Sequence, residues 1–318
     1  MKNILITGVA GFVGYSMAKY LLESKKNKIF GIDNLNKYYS LNLKKKRLEN
    51  LKSKNFKFIK LDISRYERLE KIFKKIKFDC VYNFAAQPGV RYSISNPEVY
   101  VKSNIDGFFN LIDISKNYKV KKFIYCSSSS VYGETKKFPL TENSKKKPNN
   151  FYGLTKSYNE EIAQNYFDFY KFNSIGLRLF TVYGEWGRPD MFILKFMKAF
   201  RDKKKFQLYN SGNHYRDFTY IHDAIKMIIK LSKKDVKKHQ IYNVCTGKSL
   251  HIKNIVKKLY KKKITPELLN VTKQRGDVYK THGTNKKILK TIGNIKFTNF
   301  DVVLNRIVKW YETNGKYL

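Results

Sequence analysis

Six short apolar runs alternate with longer amphipathic stretches in the first 180 residues of the chain. Such runs, rich in Ile, Val, Leu and Phe, are typical of strands that are buried on both faces of a sheet. The stretches between them repeat their apolar residues at helical spacing, which predicts a parallel sheet with helices on both faces. The predicted strands are residues 2–7, 28–32, 56–61, 78–84, 121–126 and 173–179.

The pattern changes after Phe180, where glycines, aromatic residues and loops become more frequent. No linker rich in Pro, Gly or Ser separates the two halves. We therefore expect an α/β protein with a doubly wound parallel sheet over residues 1–180 and a smaller α/β domain over residues 181–318. The two domains should pack closely or interleave, with the ligand site in the crevice between them. Predicted helices in the second half are residues 191–202, 222–232, 251–261 and 300–312.

A glycine-rich turn follows the first predicted strand. Gly8, Gly11 and Gly14 lead directly into an apolar-periodic helix. Strand, glycine turn and helix are the phosphate-binding start of a Rossmann unit, where the backbone approaches a pyrophosphate at the helix N-terminus. The second predicted strand ends in Asp33, whose carboxylate would bind the adenosine ribose hydroxyls and favour NAD over NADP. Lys37 lies nearby in the sequence, so NADP is not excluded.

The ends of the later strands supply the rest of the expected dinucleotide site. Asp62 and Ile63 would border the adenine, and the small residues Ala85 and Ala86 would let the dinucleotide lie across the strand ends. Asn104, in the next helical stretch, would approach the cofactor from the side. The other expected cofactor contacts are Phe12, Val13, Asn34, Phe84, Tyr152 and Lys156.

A serine run and a Tyr–Lys pair carry the candidate chemistry. The serines occupy residues 127–130, just after the fifth predicted strand, and Tyr152 and Lys156 lie four residues apart in a helical stretch. Residues four apart share one helix face, so the ammonium can lower the pKa of a phenol that otherwise stays protonated up to about pH 10. With a serine hydroxyl to share the proton, the pair forms a base for oxidising a sugar alcohol.

The chain is strongly basic, with 65 Lys and Arg residues against 25 Asp and Glu and a net charge of +40. A basic protein can bind nucleic acid or an anionic membrane. Here short Lys runs are scattered from end to end, which an AT-rich coding sequence also produces, so we expect neither partner. The few arginines are better guides to function because Arg forms bidentate contacts with phosphates and carboxylates.

Other features of the composition exclude several classes of protein. No apolar run reaches the roughly 18 residues of a transmembrane helix, and the N-terminus lacks the hydrophobic region of a signal peptide. The three cysteines are far apart, which favours a reducing compartment. The five histidines show no metal-ligand spacing. We therefore expect a soluble cytoplasmic protein without a metal site.

Four motifs together resemble the extended short-chain dehydrogenase/reductase family, in the branch of the nucleotide-sugar epimerases and dehydratases. The resemblance covers essentially the whole chain. These motifs are the glycine turn, residues 127–133 (SSSSVYG), the Tyr152-x-x-x-Lys156 pair and residues 216–218 (RDF).

Two long motifs narrow the resemblance to the UDP-glucuronate 4-epimerase subfamily. They are residues 85–93 (AAQPGVRYS) and residues 180–191 (FTVYGEWGRPDM). This chain departs from the subfamily at Pro88, where Ala is common, and at Glu185, where Pro is common. Neither change removes a group with evident chemistry, although Glu185 adds a negative charge near an expected anion site.

The resemblance implies NAD-dependent epimerisation at C4 of a UDP-hexuronic acid, from UDP-glucuronate to UDP-galacturonate, through a 4-keto sugar. Tyr152 would take the O4 proton, and Lys156 would lower its pKa and bind the nicotinamide ribose. Ser128 would bind O4 and relay the proton, with Ser129 or Ser127 as alternatives. NAD would be regenerated in every cycle and stay bound. The product is a common precursor of polysaccharides.

The serine run also bears on the competing activities. Sugar-nucleotide dehydratases of this family carry an Asp–Glu pair where this chain has Ser128 and Ser129, so dehydration is disfavoured. Epimerisation of UDP-glucose or UDP-N-acetylglucosamine is the nearest alternative. A simple reductase and a basic binding protein that retains the fold are the remaining hypotheses.

Several residues of the second half would hold the UDP-sugar. By the same resemblance, Arg216 and Arg275 would clamp the diphosphate and Asp277 would bind the uridine ribose. Arg188 would bind the C6 carboxylate with help from Thr181. In the first half, Gln87 and Arg91 follow a strand end and would face the substrate.

A homodimer is expected by analogy, through a four-helix bundle formed by residues 97–117 and 151–171.

Overall fold

The computed structural model of the protein describes residues 1–274 and 276–318. Six strands and seven helices come from the first 180 residues. The strands there are β1 (Lys2–Thr7), β2 (Asn27–Asp33), β3 (Phe56–Lys60), β4 (Cys80–Asn83), β5 (Lys122–Ser128) and β6 (Ser174–Leu179). The helices are α1 (Phe12–Leu22), α2 (Leu41–Glu49), α3 (Tyr66–Lys75), α4 (Tyr92–Ser95), α5 (Pro97–Tyr100), α6 (Gly107–Asn117) and α7 (Phe151–Tyr170). A π-helical segment (Val101–Asp106) joins α5 to α6, and a 3₁₀ turn (Ser129–Tyr132) follows β5.

The second half contributes six strands and five helices among the described residues. The strands are β7 (Thr181–Tyr183), β8 (Phe206–Tyr209), β9 (Tyr215–Tyr220), β10 (His239–Val244), β11 (Ser249–His251) and β12 (Leu268–Val271). The helices are α8 (Phe192–Arg201), α9 (Ile221–Ser232), α10 (Ile252–Tyr260), α11 (Lys286–Ile292) and α12 (Phe300–Asn314). Short 3₁₀ turns occupy Asn210–Gly212 and Gly315–Tyr317.

A parallel sheet of seven strands forms the centre of the molecule, in the order β10-β6-β5-β4-β1-β2-β3. All of its strand pairs are parallel, which confirms the α/β doubly wound fold predicted from the sequence. The strand order reverses beside β1, so the carboxyl ends of β1 and β4 open the crevice in which such sheets bind ligands.

The seventh strand of this sheet, β10, belongs to the half of the chain that was assigned to the second domain. It pairs with β6, with Tyr242 opposite Leu177. The two halves are therefore interleaved, and the boundary after residue 180 does not separate two independent sheets. Sequence alternation alone could not place β10 in this sheet, because its pairing with β6 is set by tertiary contacts between residues distant in sequence.

The apolar residues of the sheet divide between two cores, one on each face. Along β1, Ile4 and Ile6 pack into one core and Leu5 into the other, as the two-residue period of a strand requires. The first core continues into the second half of the chain through residues such as Phe196 and Trp310. The smaller sheets, β11-β9-β7 and β12-β8, complete the second half. Within the described residues, no helix has the length and apolar character needed to cross a membrane.

A buried ion pair fastens α7, the helix that carries Tyr152, to the central sheet. The Glu160 carboxylate accepts hydrogen bonds from Arg178 on β6, at 2.8 Å from Nε and 2.7 Å from Nη2. It also accepts one from the Ser127 hydroxyl on β5 at 2.6 Å. Because Glu160 and Arg178 are both buried, removing one partner would leave an uncompensated charge inside the protein.

We predict that Glu160→Ala lowers the free energy of unfolding by about 3–5 kcal/mol, the usual cost of breaking a buried pair. The matched control is the next residue, Glu161, whose side chain is 60% exposed and pairs with Lys146 at the surface. Glu161→Ala should cost less than about 1 kcal/mol. Urea denaturation of both variants measures the difference, and equal losses would contradict a structural role for the buried pair.

Candidate active site

Two cavities meet at the carboxyl ends of the sheet strands. The first lies against the glycine turn and the ends of β1 to β5. The second, of about 600 Å³, lies between the loop after β7, helix α8 and strands β8 and β9. Five residues line both cavities, so the two form one continuous site: Phe12, Tyr38, Val182, Arg188 and Met191.

Most of the residues predicted to hold the cofactor line the first cavity. The glycines of the turn bring the backbone close to its neighbours: a Cβ added at Gly14 would lie 2.2 Å from the Gly8 carbonyl oxygen, and one at Gly8 would lie 2.7 Å from the Ala85 nitrogen. The predicted residues that line this cavity are Gly8, Gly11, Phe12, Val13, Gly14, Asp33, Asn34, Asp62, Ile63, Phe84, Ala85, Ala86, Tyr152 and Lys156.

Asn104 and Gln87 are placed differently from the sequence-based expectation, because both are fully buried behind the cavity wall. The Asn104 side chain accepts from the Gln87 backbone N–H at 2.7 Å and donates to the Gln87 carbonyl at 3.1 Å. It also donates to the Thr155 hydroxyl at 3.0 Å. Asn104 lies in the π-helical segment, and its neighbour Ser103 lines the cavity instead. Asn104 thus fixes the loop that follows β4.

Asp33 is held in place by the backbone. Its carboxylate accepts from the Ala10 N–H at 3.1 Å and from the Leu35 N–H at 2.8 Å. Burial raises the pKa of Asp33, while these hydrogen bonds and the charges of Lys44 and Arg47 act in the opposite direction. A glycine cradle at a helix N-terminus together with a fixed carboxylate at the next strand end suits NAD, so the residues present fit that cofactor.

Tyr152, Lys156 and Ser128 line the first cavity together. The Asn150 side chain caps α7 by accepting from the Gly153 N–H at 2.8 Å, so Tyr152 lies in the first helical turn and Lys156 one turn later. The Lys156 ammonium donates to the Cys126 carbonyl at 2.8 Å, and burial lowers the pKa of Lys156 to about 8.

The electrostatics of Tyr152 differ from the sequence-based expectation that Lys156 would lower its pKa. Burial raises the pKa of the phenol, and the Ser128 hydroxyl and the charge of Arg188 act against this rise. Lys156 is turned toward the Cys126 carbonyl. Sequence spacing placed Tyr152 and Lys156 on one face but could not show this competing acceptor.

The three candidate serines have different surroundings. The Ser127 hydroxyl is engaged by Glu160, and Ser129 is half-buried in the 3₁₀ turn. Ser128 accepts from the Ser130 N–H at 3.1 Å and lines the cofactor cavity together with Tyr152. Of the three, Ser128 is therefore best positioned to exchange a proton with Tyr152.

The second cavity is lined by most of the residues predicted to hold the substrate, namely Arg91, Thr181, Arg188, Arg216 and Asp277. Arg91 donates to the Asp277 carboxylate at 3.0 Å and lies 3.8 Å above the Tyr209 ring. Arg216 donates to the Tyr215 carbonyl at 2.8 Å. Arg275, the other predicted diphosphate ligand, lies outside the described residues.

Arg188 lies where the two cavities meet, and its guanidinium is paired within the protein. Its Nε donates to Asp190 Oδ1 at 3.0 Å, and its Nη2 donates to Oδ2 of the same carboxylate. The Tyr38 hydroxyl donates to Asp190 as well, at 3.1 Å. Burial alone would lower the pKa of Arg188, but the Asp190 carboxylate outweighs it and raises this pKa.

Comparison with known proteins agrees with this geometry. The family model for the NAD dependent epimerase/dehydratase family matches residues 4–245. An uncharacterised protein of Methanocaldococcus jannaschii is 40% identical over 100% of this chain and 98% of its own length. The UDP-glucuronate 4-epimerase of Thermodesulfobacterium geofontis is 37% identical over 99% of this chain and 97% of its own.

Among solved structures, the UDP-glucuronic acid 4-epimerase of Bacillus cereus, in complex with UDP-glucuronic acid and NAD, superposes with a TM-score of 0.92 at 28% identity. The match covers 98% of this chain and 99% of that one. The chain belongs to the NAD-dependent epimerase/dehydratase family. Within that family it is one of the nucleotide-sugar epimerases, and its cofactor is NAD.

Helix α2 carries two buried cations, Lys44 and Arg47, that the sequence did not indicate. Arg47 is completely buried, and Lys44 is nearly so. Lys44 donates to the Asn36 carbonyl and side-chain oxygens, both at 2.7 Å, and burial lowers its pKa to about 8. The stretch 41–49 carries four Lys and Arg residues, so its composition resembles that of a solvated surface helix. Nothing in this composition indicates that two of the cations are buried.

Arg47 connects the glycine turn to the loop that carries Arg188. It donates to the Ala10 carbonyl at 2.8 Å, to the Trp186 carbonyl at 3.1 Å and to the Gly187 carbonyl at 2.9 Å. A further bond joins it to the Tyr39 hydroxyl at 2.8 Å. One side chain thus holds the wall of the cofactor cavity and the wall of the substrate cavity together.

Glu185 and His214 lie in surroundings that the sequence did not predict. Glu185 does not line either cavity; it accepts from the Tyr220 hydroxyl at 3.0 Å, so its charge is directed away from the site. His214, discounted with the other histidines, lines the second cavity and is buried, and neither ring nitrogen has a hydrogen-bond partner within the described chain. No group of three or more His, Cys, Asp or Glu side chains in that part of the chain could hold a metal ion.

We predict that Arg47→Lys weakens the binding of both NAD and the sugar nucleotide by at least about tenfold, because an ammonium has three donors and cannot reach all four acceptors. Calorimetric titration with NAD and with UDP measures the two affinities. Arg201→Lys is the control, because Arg201 pairs with Asp202 away from both cavities. A loss of NAD affinity with unchanged UDP affinity would contradict the role of Arg47 in holding both cavity walls.

Proposed function

We propose that the protein catalyses the NAD-dependent epimerisation of UDP-glucuronate to UDP-galacturonate at C4, with Tyr152 as the base. The observation that carries this proposal is the position of Arg188, a guanidinium at the junction of the cofactor and substrate cavities, with Thr181 lining the same cavity. Arg188 and Tyr152 line the cofactor cavity together, so this cation would lie near the part of the sugar that reacts. A C6 carboxylate is the substrate group that such a cation binds best.

Ser128, Tyr152 and Lys156 supply the proton chemistry in this proposal. Tyr152 takes the proton from the sugar O4, and Ser128, which lines the same cavity, holds O4 and passes the proton. Lys156 has a pKa of about 8 and would bind the nicotinamide ribose once it releases the Cys126 carbonyl. Bound NAD would supply a reversible hydride acceptor at C4. The 4-keto sugar must then turn within the closed site before Tyr152 returns the proton.

Residues of the second cavity would hold the UDP portion. Arg216 is proposed to bind the diphosphate together with Arg275, and Asp277 the uridine ribose. Arg91 would approach the same region, since it already pairs with Asp277 and stacks on Tyr209. The similarity to the UDP-glucuronate 4-epimerase of T. geofontis and to the B. cereus enzyme in complex with UDP-glucuronic acid supports this substrate.

A second candidate is the same reaction on UDP-glucose or UDP-N-acetylglucosamine. The Arg188–Asp190 ion pair favours it, because a guanidinium that is already neutralised by Asp190 costs little to leave beside an uncharged sugar. Substrate kinetics therefore have to separate an acid-specific enzyme from a tolerant one.

We also propose a homodimer formed through α6 and α7. These helices expose large apolar side chains that a monomer would leave in water. Leu154, Tyr158 and Phe169 lie along one side of α7, with exposures of 37%, 50% and 76%. Phe109 on α6 is 46% exposed. Two antiparallel copies of this helix pair would bury these residues in a four-helix bundle.

We predict that incubation with UDP-glucuronate, followed by proton NMR, yields a stable mixture with UDP-galacturonate without net NADH. Tyr152→Phe should lower kcat by about 10²–10⁴-fold, the usual contribution of a positioned base, while Tyr170→Phe on the exposed end of the same helix should not. Conversion of UDP-glucose but not of UDP-glucuronate would retain the mechanism and reject the assigned substrate. Inertness toward both would reject the proposed function.

We predict that Arg188→Ala raises KM for UDP-glucuronate by about tenfold or more and leaves KM for UDP-glucose nearly unchanged, because only the acid loses a charge-assisted contact. Initial rates with both substrates measure this. A variant that keeps the preference for the acid would show that Arg188 is not the carboxylate ligand.

We predict that Tyr158→Glu together with Phe169→Glu converts the dimer to a monomer, because each change places a charge in the apolar interface. Light scattering after size exclusion measures the mass. As a control, Phe200→Glu changes a similarly exposed residue on α8, outside the proposed interface, and should leave the mass unchanged. A monomeric parent protein would reject the proposed dimer.

A further inference from the structure

Arg188 and Asp190 form an ion pair at the entrance from the substrate cavity to the cofactor cavity. Asp190 occupies one edge of the guanidinium, the edge formed by Nε and Nη2. The second edge, formed by Nη1 and Nη2, can still receive a carboxylate, since a guanidinium has five donors in a planar fork. An Arg can therefore hold an internal carboxylate on one edge and a substrate carboxylate on the other.

The position of the Asp190 carboxylate is fixed by Tyr38, which lies outside the loop that carries Asp190. Tyr38 donates to Asp190 Oδ2 at 3.1 Å, and the Tyr38 ring packs 4.9 Å from the Tyr92 ring. Gly89 leaves room for this contact, because a Cβ there would lie 2.4 Å from the Tyr38 hydroxyl oxygen. Arg188 and Asp190 are only 20% and 34% exposed, so water screens their interaction incompletely.

We propose that Asp190 is the specificity-determining residue of the site: by neutralising Arg188, it limits the preference for acidic over neutral sugars. This inference rests on the proposed function. With Asp190 ionised, the pair carries no net charge, and an uncharged sugar beside it leaves no cation without a partner. The attraction for a substrate carboxylate is reduced for the same reason, because Asp190 repels it.

Removing the charge of Asp190 while keeping its shape should therefore change the preference in a defined direction. In Asp190→Asn the amide oxygen can still accept one hydrogen bond from Arg188, but the guanidinium recovers its full positive charge. An acidic sugar should then bind more tightly, and a neutral sugar should bind equally or more weakly. A residue that merely held Arg188 in place would give the opposite result, because its loss would weaken the binding of the acid.

The experiment is equilibrium binding to the NAD-loaded protein in a Tyr152→Phe background, where turnover is suppressed. Calorimetry gives the Kd of UDP-glucose divided by the Kd of UDP-glucuronate. We expect Asp190→Asn to raise this ratio about tenfold, a size appropriate to one partly screened charge. Asp190→Glu keeps the charge and should leave the ratio within about threefold of the parent value.

The matched control is Asp202→Asn, which removes the same charge from an Arg–Asp pair of 2.7 Å outside both cavities. Its ratio should equal that of the parent. An unchanged ratio in Asp190→Asn, or a ratio that falls to the value of Arg188→Ala, would overturn the proposal. These outcomes are distinct from a failure of the proposed function, which would appear as a Tyr152-intact protein that does not convert UDP-glucuronate. Thermal unfolding of each variant verifies that the fold is retained.

Discussion

All five N–H groups of the Arg47 guanidinium are used by oxygen atoms of the surrounding protein, and most of these atoms are backbone carbonyls. A buried cation is stable only when such partners replace the water it has lost. The carbonyls belong to the glycine turn at Ala10 and to the loop at Trp186 and Gly187, so neither segment can move without leaving donors unpaired. The alignment of the cofactor cavity with the substrate cavity depends on this one side chain.

The loop that Arg47 holds also carries Arg188 and Asp190, whose partner Tyr38 comes from the segment between β2 and α2. Two side chains from the first half, Arg47 and Tyr38, therefore fix the backbone and the charges of a loop from the second half. The parallel sheet has the same organisation, since β10 completes it beside β6. The two halves are thus interleaved both in the sheet and around the crevice.

Local sequence patterns predicted the parts of the structure that depend on local physics. The six strands of the first half, the glycine turn and the face shared by Tyr152 and Lys156 follow from periodicity and from backbone geometry. Partners that are distant in sequence were not accessible in this way: Arg47 looked like a surface cation, and Asn104 was assigned to the cofactor although it holds the backbone of Gln87. Lys156 was expected to act on the phenol, but in the structure its ammonium donates a hydrogen bond to the Cys126 carbonyl.

The positive charge of Arg188 has two effects on the proposed reaction, one on the pKa of Tyr152 and one on the binding of acidic sugars. This charge opposes the rise in the pKa of Tyr152 that burial causes, which would help the phenol to act as the proposed base. The same charge would hold an acidic substrate and an acidic product equally tightly, and uniform binding of this kind slows product release without lowering the barrier. In the proposed reaction, the Arg188–Asp190 pair would be a compromise between the two: Asp190 would weaken the hold on both acids, while the guanidinium stays in the cavity that Tyr152 lines.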